Sequence, residues 1–390
     1  FCIGRRVVVW RMKSKSVSVN IARSLLLAAA LPFMAGPALG ASQCAWPAWE
    51  NYKQQMISAD GRVIDASSPQ QVTTSEGQSY GLFFALVAND PQSFERLLNW
   101  TRDNLASGAF DRHLPAWQWG LNKDGQWRVL DSNNASDADL WIAYSLLEAG
   151  RLWRRPDYLA LGQHLLWRSA AQTLRMLPGL GLMILPGDVG FDSPQGWRLN
   201  PSYVPPQLLA RFSLIAPIWA EVAENSRRLL LEGAPKGFAA DWLMWQAGQG
   251  FVADAKSAIG SYDAIRVYLW LGMLAPDARE RTVLLDHFKP MLEATARLGH
   301  VPEQVETRSG EAMGTGPVSF SAALLPLLAS DPSASAALAA QRERLRQSPP
   351  LADAYYNQSL VMFGQGWDEQ RYRFDKDGRL QPNWTPPCTQ

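Results

Sequence analysis

An all-α fold is what the 390-residue chain predicts, on three observations. Apolar residues recur at helical spacing through about twelve runs. Proline falls near the start of several of them, at Pro91, Pro156, Pro317 and Pro332, where a helix tolerates it. No Ser/Gly-rich linker or block of charge divides the chain, so one long helical domain is expected from residue 41 to residue 390.

Residues 1–40 stand apart. They hold Arg5, Arg6, Arg11, Lys13, Lys15 and Arg23 but no acid. An apolar run from Leu25 to Ala35 follows the basic stretch, and Ala38-Leu39-Gly40 precedes Ala41. A basic region, a short apolar core and small residues at −3 and −1 describe a secretory signal peptide cleaved near Gly40. The run is short for a membrane span, and a retained anchor is the alternative. Met12 is the expected start, with residues 1–11 an upstream extension.

The whole chain carries 37 Lys and Arg against 36 Asp and Glu. Without residues 1–40 the balance is 31 basic to 36 acidic, a net charge of −5. That argues against a nucleic-acid partner and for a neutral substrate. The four histidines are scattered and no Cys/His cluster has zinc-like spacing, so no metal is expected. No nucleotide-binding glycine loop suggests a cofactor, and no Ser-His-Asp set stands out. Cys44 and Cys388 lie near the two ends of the exported part. In an oxidising compartment they are expected to form a disulfide.

Helices are predicted at 46–58, 76–89, 91–106, 137–153, 156–175, 204–219, 220–232, 258–274, 277–297, 317–329, 332–347 and 350–368. Two insertions break the pattern. Residues 117–131 hold a Lys123-Asp124-Gly125 turn between short extended runs, which predicts a hairpin. Residues 177–203 are rich in Gly and Pro, with two short strand-like pieces. Long connections of this kind are often functional, and both are expected to wall a substrate groove.

The helix at 137–153 organises the rest. Leu140, Ile142, Ala143, Leu146, Leu147, Ala149 and Leu152 suit a buried helix. Ser136 sits where an N-cap would, with Asp137 and Asp139 in the first turn. An acidic helix start needs no function by itself. Two further stretches repeat the theme, however. SEGQSYG at 75–81 and SYDAIRVYLW at 261–270 each place one carboxylate, Glu76 or Asp263, among small, hydroxylated and aromatic residues. Three such starts suggest one site at one end of a helical array.

The run Ala135-Ser136-Asp137-Ala138-Asp139, followed by Ile142-Ala143 and ending at Trp153, resembles the signature of glycoside hydrolase family 8. SEGQSYG and SYDAIRVY are similar to that family's other two catalytic segments. The likeness runs from about Cys44 to the C-terminal region. It implies an (α/α)6 barrel, six helical hairpins closed into a ring, with small hairpin and loop insertions around a groove. It points to the family's branch of periplasmic cellulases found with bacterial cellulose synthases. That implies internal cleavage of β-1,4-glucan with inversion, in a role trimming glucan during cellulose synthesis and export, and transient association with the synthase.

Inversion needs a protonated carboxyl to donate to the leaving oxygen and an ionised one to activate water. By the resemblance Glu76 is the acid and Asp263 the base. A helix start favours the charged form of an acid, so something must oppose it at Glu76. Asp137 is the candidate, holding the sugar and helping Glu76 keep its proton. The family resemblance also admits Asp137 as a nucleophile, which would imply retention. Asp139, two positions on, points away from Asp137 and reads as a cap or supporting group.

Arg266, three residues after Asp263, either makes a routine pair or keeps Asp263 ionised. Tyr203 matches a family tyrosine near the attacking water, or else only packs. The chain has 17 Trp, and most belong to a helical core. Trp117 and Trp119 in the hairpin and Trp197 in the second insertion are expected as sugar platforms. Xylan, chitosan or mixed-linkage glucan are alternative substrates for the same fold. A non-catalytic glucan-binding factor is a further alternative, but the retained Glu76, Asp137 and Asp263 oppose it.

Overall fold

The computed structural model describes residues 45–384 apart from 255, 257 and 353. The leader expected at residues 1–40, Cys44 and Cys388 lie outside the described residues. The helices run in the order α1 (Pro47–Met56), α2 (Ser75–Val87), α3 (Pro91–Leu105), α4 (Ser136–Leu152) and α5 (Pro156–Thr173). Then come α6 (Pro206–Ser213), α7 (Ile218–Glu232), α8 (Ile265–Gly272), α9 (Arg281–His287) and α10 (Lys289–Leu298). The last three are α11 (Val318–Ala329), α12 (Ser335–Gln347) and α13 (Tyr355–Asp368).

Six of these close a ring. α2 packs on α4, α4 on α6, α6 on α8, α8 on α11 and α11 on α13, and α13 returns to α2. Each has an outer partner: α3, α5, α7, α9, α12 and α1 respectively. This is the (α/α)6 barrel that the resemblance implies. The burial of each helix follows its layer. In α2 every residue except Glu76 is buried, and in α11 all but Val318 and Ala329 are. Outer helices such as α3 and α10 keep one apolar stripe facing inward.

Aromatic rings fill the barrel. Phe363 on α13 lies 4.8–5.4 Å from Tyr80, Phe83 and Phe84 of α2, Trp141 of α4 and Trp270 of α8. Two glycines let the inner helices touch backbone to backbone. A Cβ on Gly364 would sit 1.9 Å from the Ala322 carbonyl oxygen, and one on Gly272 would sit 2.2 Å from the Leu327 nitrogen.

Several boundaries depart from the sequence expectation. Residues 204–219 do not form one helix, because α6 ends at Ser213 and Pro217 precedes α7. Residues 277–297 split at Phe288, where Pro290 opens a new first turn. The run 258–274 is helical only from Ile265. Before it, Ile259–Gly260 pairs as a strand with Val305 and Glu306. Ser136 is not a cap: α4 starts at Ser136, Ala135 holds the cap position, and the buried Ser136 hydroxyl has no partner among the described residues.

The hairpin at 117–131 forms from Gln118–Leu121 and Trp127–Asp131, and Thr73–Thr74 adds a third strand. In the second insertion Leu174–Leu177 pairs with Gly181–Ile184. Gly196–Leu199 joins a four-stranded sheet with Asp192–Ser193, Leu243–Gln246 and Gly250–Ala253.

Candidate active site

Three inner helices, α2, α4 and α8, begin at one end of the barrel, since residues at their starts meet around one side chain. Arg266, on the first turn of α8, is 3% exposed. Its Nη1 donates to Glu76 Oε2, at the start of α2, and its Nη2 donates to Asp263 Oδ1 at 2.6 Å. Asp137 Oδ2, at the start of α4, lies 3.9 Å from Nη1. The structure therefore brings Glu76, Asp137, Asp263 and Arg266 together from three helix starts. The Asp263 side chain is 31% exposed, Glu76 16% and Asp137 5%. Asp263 is thus the acid of the three that water reaches most easily.

Local chemistry explains each placement. Thr74 caps α2 by accepting the Gly77 N–H at 3.0 Å. The same hydroxyl donates to the Tyr355 oxygen at 2.9 Å, and Tyr355 donates to Glu76 Oε1 at 2.9 Å. Asp263 is set by a cap from elsewhere in the chain. Asp241 Oδ1 accepts the N–H groups of Ser261, Asp263 and Ala264 at 2.8–3.1 Å. It gathers donors that an extended helix would have used, so the chain turns and presents Asp263 beside Arg266. Asn200 caps the turn at Pro201–Tyr203, and Ser202 Oγ accepts from Arg266 Nη2 at 2.8 Å. Tyr203 lies against the other face of the cluster, its ring 5.7 Å from the Arg266 guanidinium.

Three acids around one cation leave excess negative charge, and the ionisation of the cluster reflects it. Burial, reinforced by the charge of Glu76, pushes Asp137 well above the usual carboxylate range. Burial and then the charge of Asp263 raise Asp241 to about 6, against its backbone donors. Burial holds Tyr203, Tyr355 and Tyr356 well above the ordinary tyrosine value, so these hydroxyls stay protonated. Asp139 sits one layer away. Its Oδ2 accepts from Asn134 at 2.7 Å, and burial raises its carboxyl well above the usual value.

The expected platforms fall in different places. Trp117 precedes the first strand of the hairpin, and its carbonyl accepts the Ser75 N–H at 3.0 Å, next to Glu76. Trp119 stacks on Trp127 at 5.3 Å, meets Trp100 edge-on at 5.2 Å, and lies 5.0 Å from the Arg62 guanidinium. Among the described residues its ring partners are Trp127, Trp100 and Arg62, none of them a member of the carboxylate cluster. Trp197 pairs with Trp245 across the sheet. Its neighbour Arg198 faces the opposite side of that sheet, where it binds Asp254 and lies 3.9 Å from the Trp242 ring. Trp242 in turn packs 6.0 Å from Tyr203 and 5.9 Å from Phe191.

Sequence reasoning missed Asp241, Ser202, Trp242, Tyr355 and Tyr356. The adjacent tyrosines at the start of α13 repeated the theme of the other helix starts and could have been found. Asp241 carried no local signal, because it caps a helix that begins 24 residues later.

The profile of the glycosyl hydrolases of family 8 matches residues 24–370. An endoglucanase of Salmonella typhi is 51% identical over 346 residues, covering 88% of this chain and 93% of that protein. An endoglucanase of Xanthomonas axonopodis pv. citri is 50% identical over 355 residues, covering 89% and 92%. The crystal structure of an endo-1,4-D-glucanase from Vibrio fischeri ES114 superposes with a TM-score of 0.84 at 45% identity, covering 87% of this chain and 99% of that one.

Proposed function

The chain belongs to the glycosyl hydrolases of family 8, and from that membership we infer an endo-β-1,4-glucanase that cleaves its chain internally with inversion. The observation that carries the assignment of roles is Arg266. It holds Glu76 and Asp263, far apart in sequence, on separate nitrogens of one guanidinium. Inversion requires the two carboxyl groups roughly 6.5–9.5 Å apart, so that a water fits opposite the leaving group.

Asp263 is the base. It is the most exposed of the three acids, and Arg266 donates to it at 2.6 Å. Glu76 is the acid, oriented by Tyr355. Asp137 supports it. In the ligand-free cluster the bias toward a bound proton falls on Asp137, because it is the more deeply buried. Donation needs that proton on Glu76, so Glu76 must exchange its Arg266 contact for it when substrate binds. Asp137 then holds the sugar at the cleavage point.

Proton NMR of the first products tests this reading. Newly formed reducing ends should be α, opposite to the β bond cleaved. An initial β-anomer would mean a covalent intermediate, and would make Asp137 the nucleophile. Assays on carboxymethylcellulose, xylan and chitosan side by side fix the polymer, with the first expected to be hydrolysed fastest.

Export belongs to the same proposal, supported by the basic and apolar layout of residues 1–40. Among the described residues no helix is long and apolar enough to cross a membrane. The mature enzyme would start at Ala41 in the periplasm and act on glucan issuing from a cellulose synthase. Intact mass of periplasmic protein checks the cleavage point, and retention of residues 12–40 would overturn it. Titration of thiols in the denatured, unreduced protein checks the Cys44–Cys388 bond, for which no free thiol is expected.

A further inference from the structure

A cavity of about 570 Å³ opens beside the start of α4, lined by Arg112, His113, Asp131, Asn134, Gln172 and Asp188 among others. Asn134 joins it to Asp139, two positions after Asp137 on α4. Its Nδ2 donates to Asp139 at 2.7 Å, and its Oδ1 accepts the Asp188 N–H at 2.7 Å. A second cavity of about 450 Å³ lies on the outer ring, lined by Asp111, His164, Trp167, Arg168 and Ala171. The two are lined by neighbouring residues of the chain. Asp111 and Arg112 are consecutive, and so are Ala171 and Gln172. Arg168 Nη2 donates to the Asp111 carbonyl at 2.5 Å, which ties that connection to α5.

The second cavity has one apolar feature. His164, Trp167, Arg168 and Ala171 fall at i, i+3, i+4 and i+7 and share a face of α5. Trp167 is 45% exposed. Trp127 is as exposed, at 47%, but spends one face on Trp119. Trp167 has no ring or cation partner among the described residues. A single exposed indole in a cavity also lined by His164, Arg168 and Asp111 is too small for a stable protein interface, which buries above about 1,000 Å². It suits a sugar ring, whose flat face is apolar and whose rim is all hydroxyl.

We propose that this face of α5 is a distal binding platform for the same glucan strand that threads the catalytic groove. The polymer passes Asn134 and His113, crosses to α5 and stacks one pyranose on Trp167. His164, Arg168 and Asp111 meet its hydroxyls. The platform rests on the endoglucanase reading and extends it, because it makes the enzyme favour long chains over short ones.

Trp167→Ala and Trp167→Phe test it against the unaltered enzyme. Hydrolysis of cellotetraose, which the proposal confines to the catalytic groove, should not change. On amorphous cellulose the KM of Trp167→Ala should rise roughly 2- to 10-fold, as loss of one aromatic stack implies, with kcat kept. Trp167→Phe should recover part of that loss. Electrophoresis through gels containing hydroxyethylcellulose should retard the unaltered protein more than Trp167→Ala. Equal KM and equal mobility would overturn the platform, and so would the same loss on both substrates. If the unaltered protein cleaves neither substrate, the endoglucanase reading fails by itself. Retardation that depends on Trp167 would still uphold the platform, and its absence would sink it.

Discussion

Near the C-terminal end of α4, Glu148 is fully buried and accepts from Arg211 at 2.6 Å, from Arg151 at 3.0 Å and from the Leu380 N–H at 2.8 Å. At the N-terminal end of the same helix, Asp137 shares a single arginine with Glu76 and Asp263. The two clusters use the same residue types on one helix, about 16 Å apart along its axis. Their arithmetic is opposite. The first has two cations for one acid, and its carboxylate is filled with donors. The second has three acids for one cation, and the buried Arg266 Nε has no partner among the described residues. A filled cluster can only hold the fold together, here by fastening the Tyr372–Phe374 and Leu380–Pro382 hairpin to α4. An unbalanced one is costly to keep, and its spare acceptors and raised carboxyls are what chemistry on a sugar requires.

The largest expected effect breaks the unbalanced end. Glu76→Gln keeps the size and can still accept from Tyr355, but it has no proton to donate. Asp263→Asn leaves the water without a base. Each should lower kcat/KM roughly 10²- to 10⁴-fold, while cellooligosaccharide binding by calorimetry survives. Loss of binding together with activity would place these residues in substrate recognition. Thermal unfolding should shift little or upward in both variants, since each removes a charge from a cluster with too many of one sign.

The contrast between the ends also marks what the sequence could tell. Glu76, Asp137 and Asp263 were legible because each lies in a local pattern, an acid at a helix start among small and aromatic residues. The all-α class was legible from periodicity. The short strands at Leu243–Gln246, Gly250–Ala253, Gln304–Glu306 and Glu311–Met313 were not, being no longer than four residues. Arg266 was legible as a partner of Asp263, three residues away, but not of Glu76, because only ring closure brings α8 and α2 to the same place. Glu148 was invisible for a similar reason. On a helix with a buried apolar pattern it looks like an outward-facing acid, and its partner Arg211 is 63 residues on.

The second effect breaks the balanced end. Glu148→Gln leaves two arginines facing a neutral amide in a buried site. Removing one partner of a buried pair typically costs about 3–5 kcal/mol. Arg151 is 35% exposed and can turn toward water, so a loss near the lower end is expected, read from denaturant unfolding. Activity per folded molecule should stay the same, as the cluster lies at the far end of α4. A folded Glu148→Gln protein with reduced kcat would mean that the two ends of α4 are coupled.

The smallest effect concerns pH and separates the two ends by sign. A carboxylate satisfied by donors normally gains stability as pH rises. The catalytic end should do the reverse. Asp241, raised to about 6 from 3.8 by burial and by Asp263, keeps its proton in the folded state where the unfolded chain has lost it. Between those values the folded state binds more protons, so stability falls as pH rises, by no more than about 3 kcal/mol from this residue. Asp137 and Asp139 are pushed in the same direction. The groups facing Asp241 are Asp263 and Arg266, and the cation softens the effect without reversing it. Unfolding free energy should therefore be higher near pH 4.5 than near pH 7, as far as this end decides it. Asp241→Asn retains an oxygen to accept from Ser261, Asp263 and Ala264 but cannot ionise. It should flatten the slope between pH 4 and 6 and leave the alkaline limb unchanged. A slope that is the same in Asp241→Asn would mean that the three backbone donors, and not burial, govern this carboxyl.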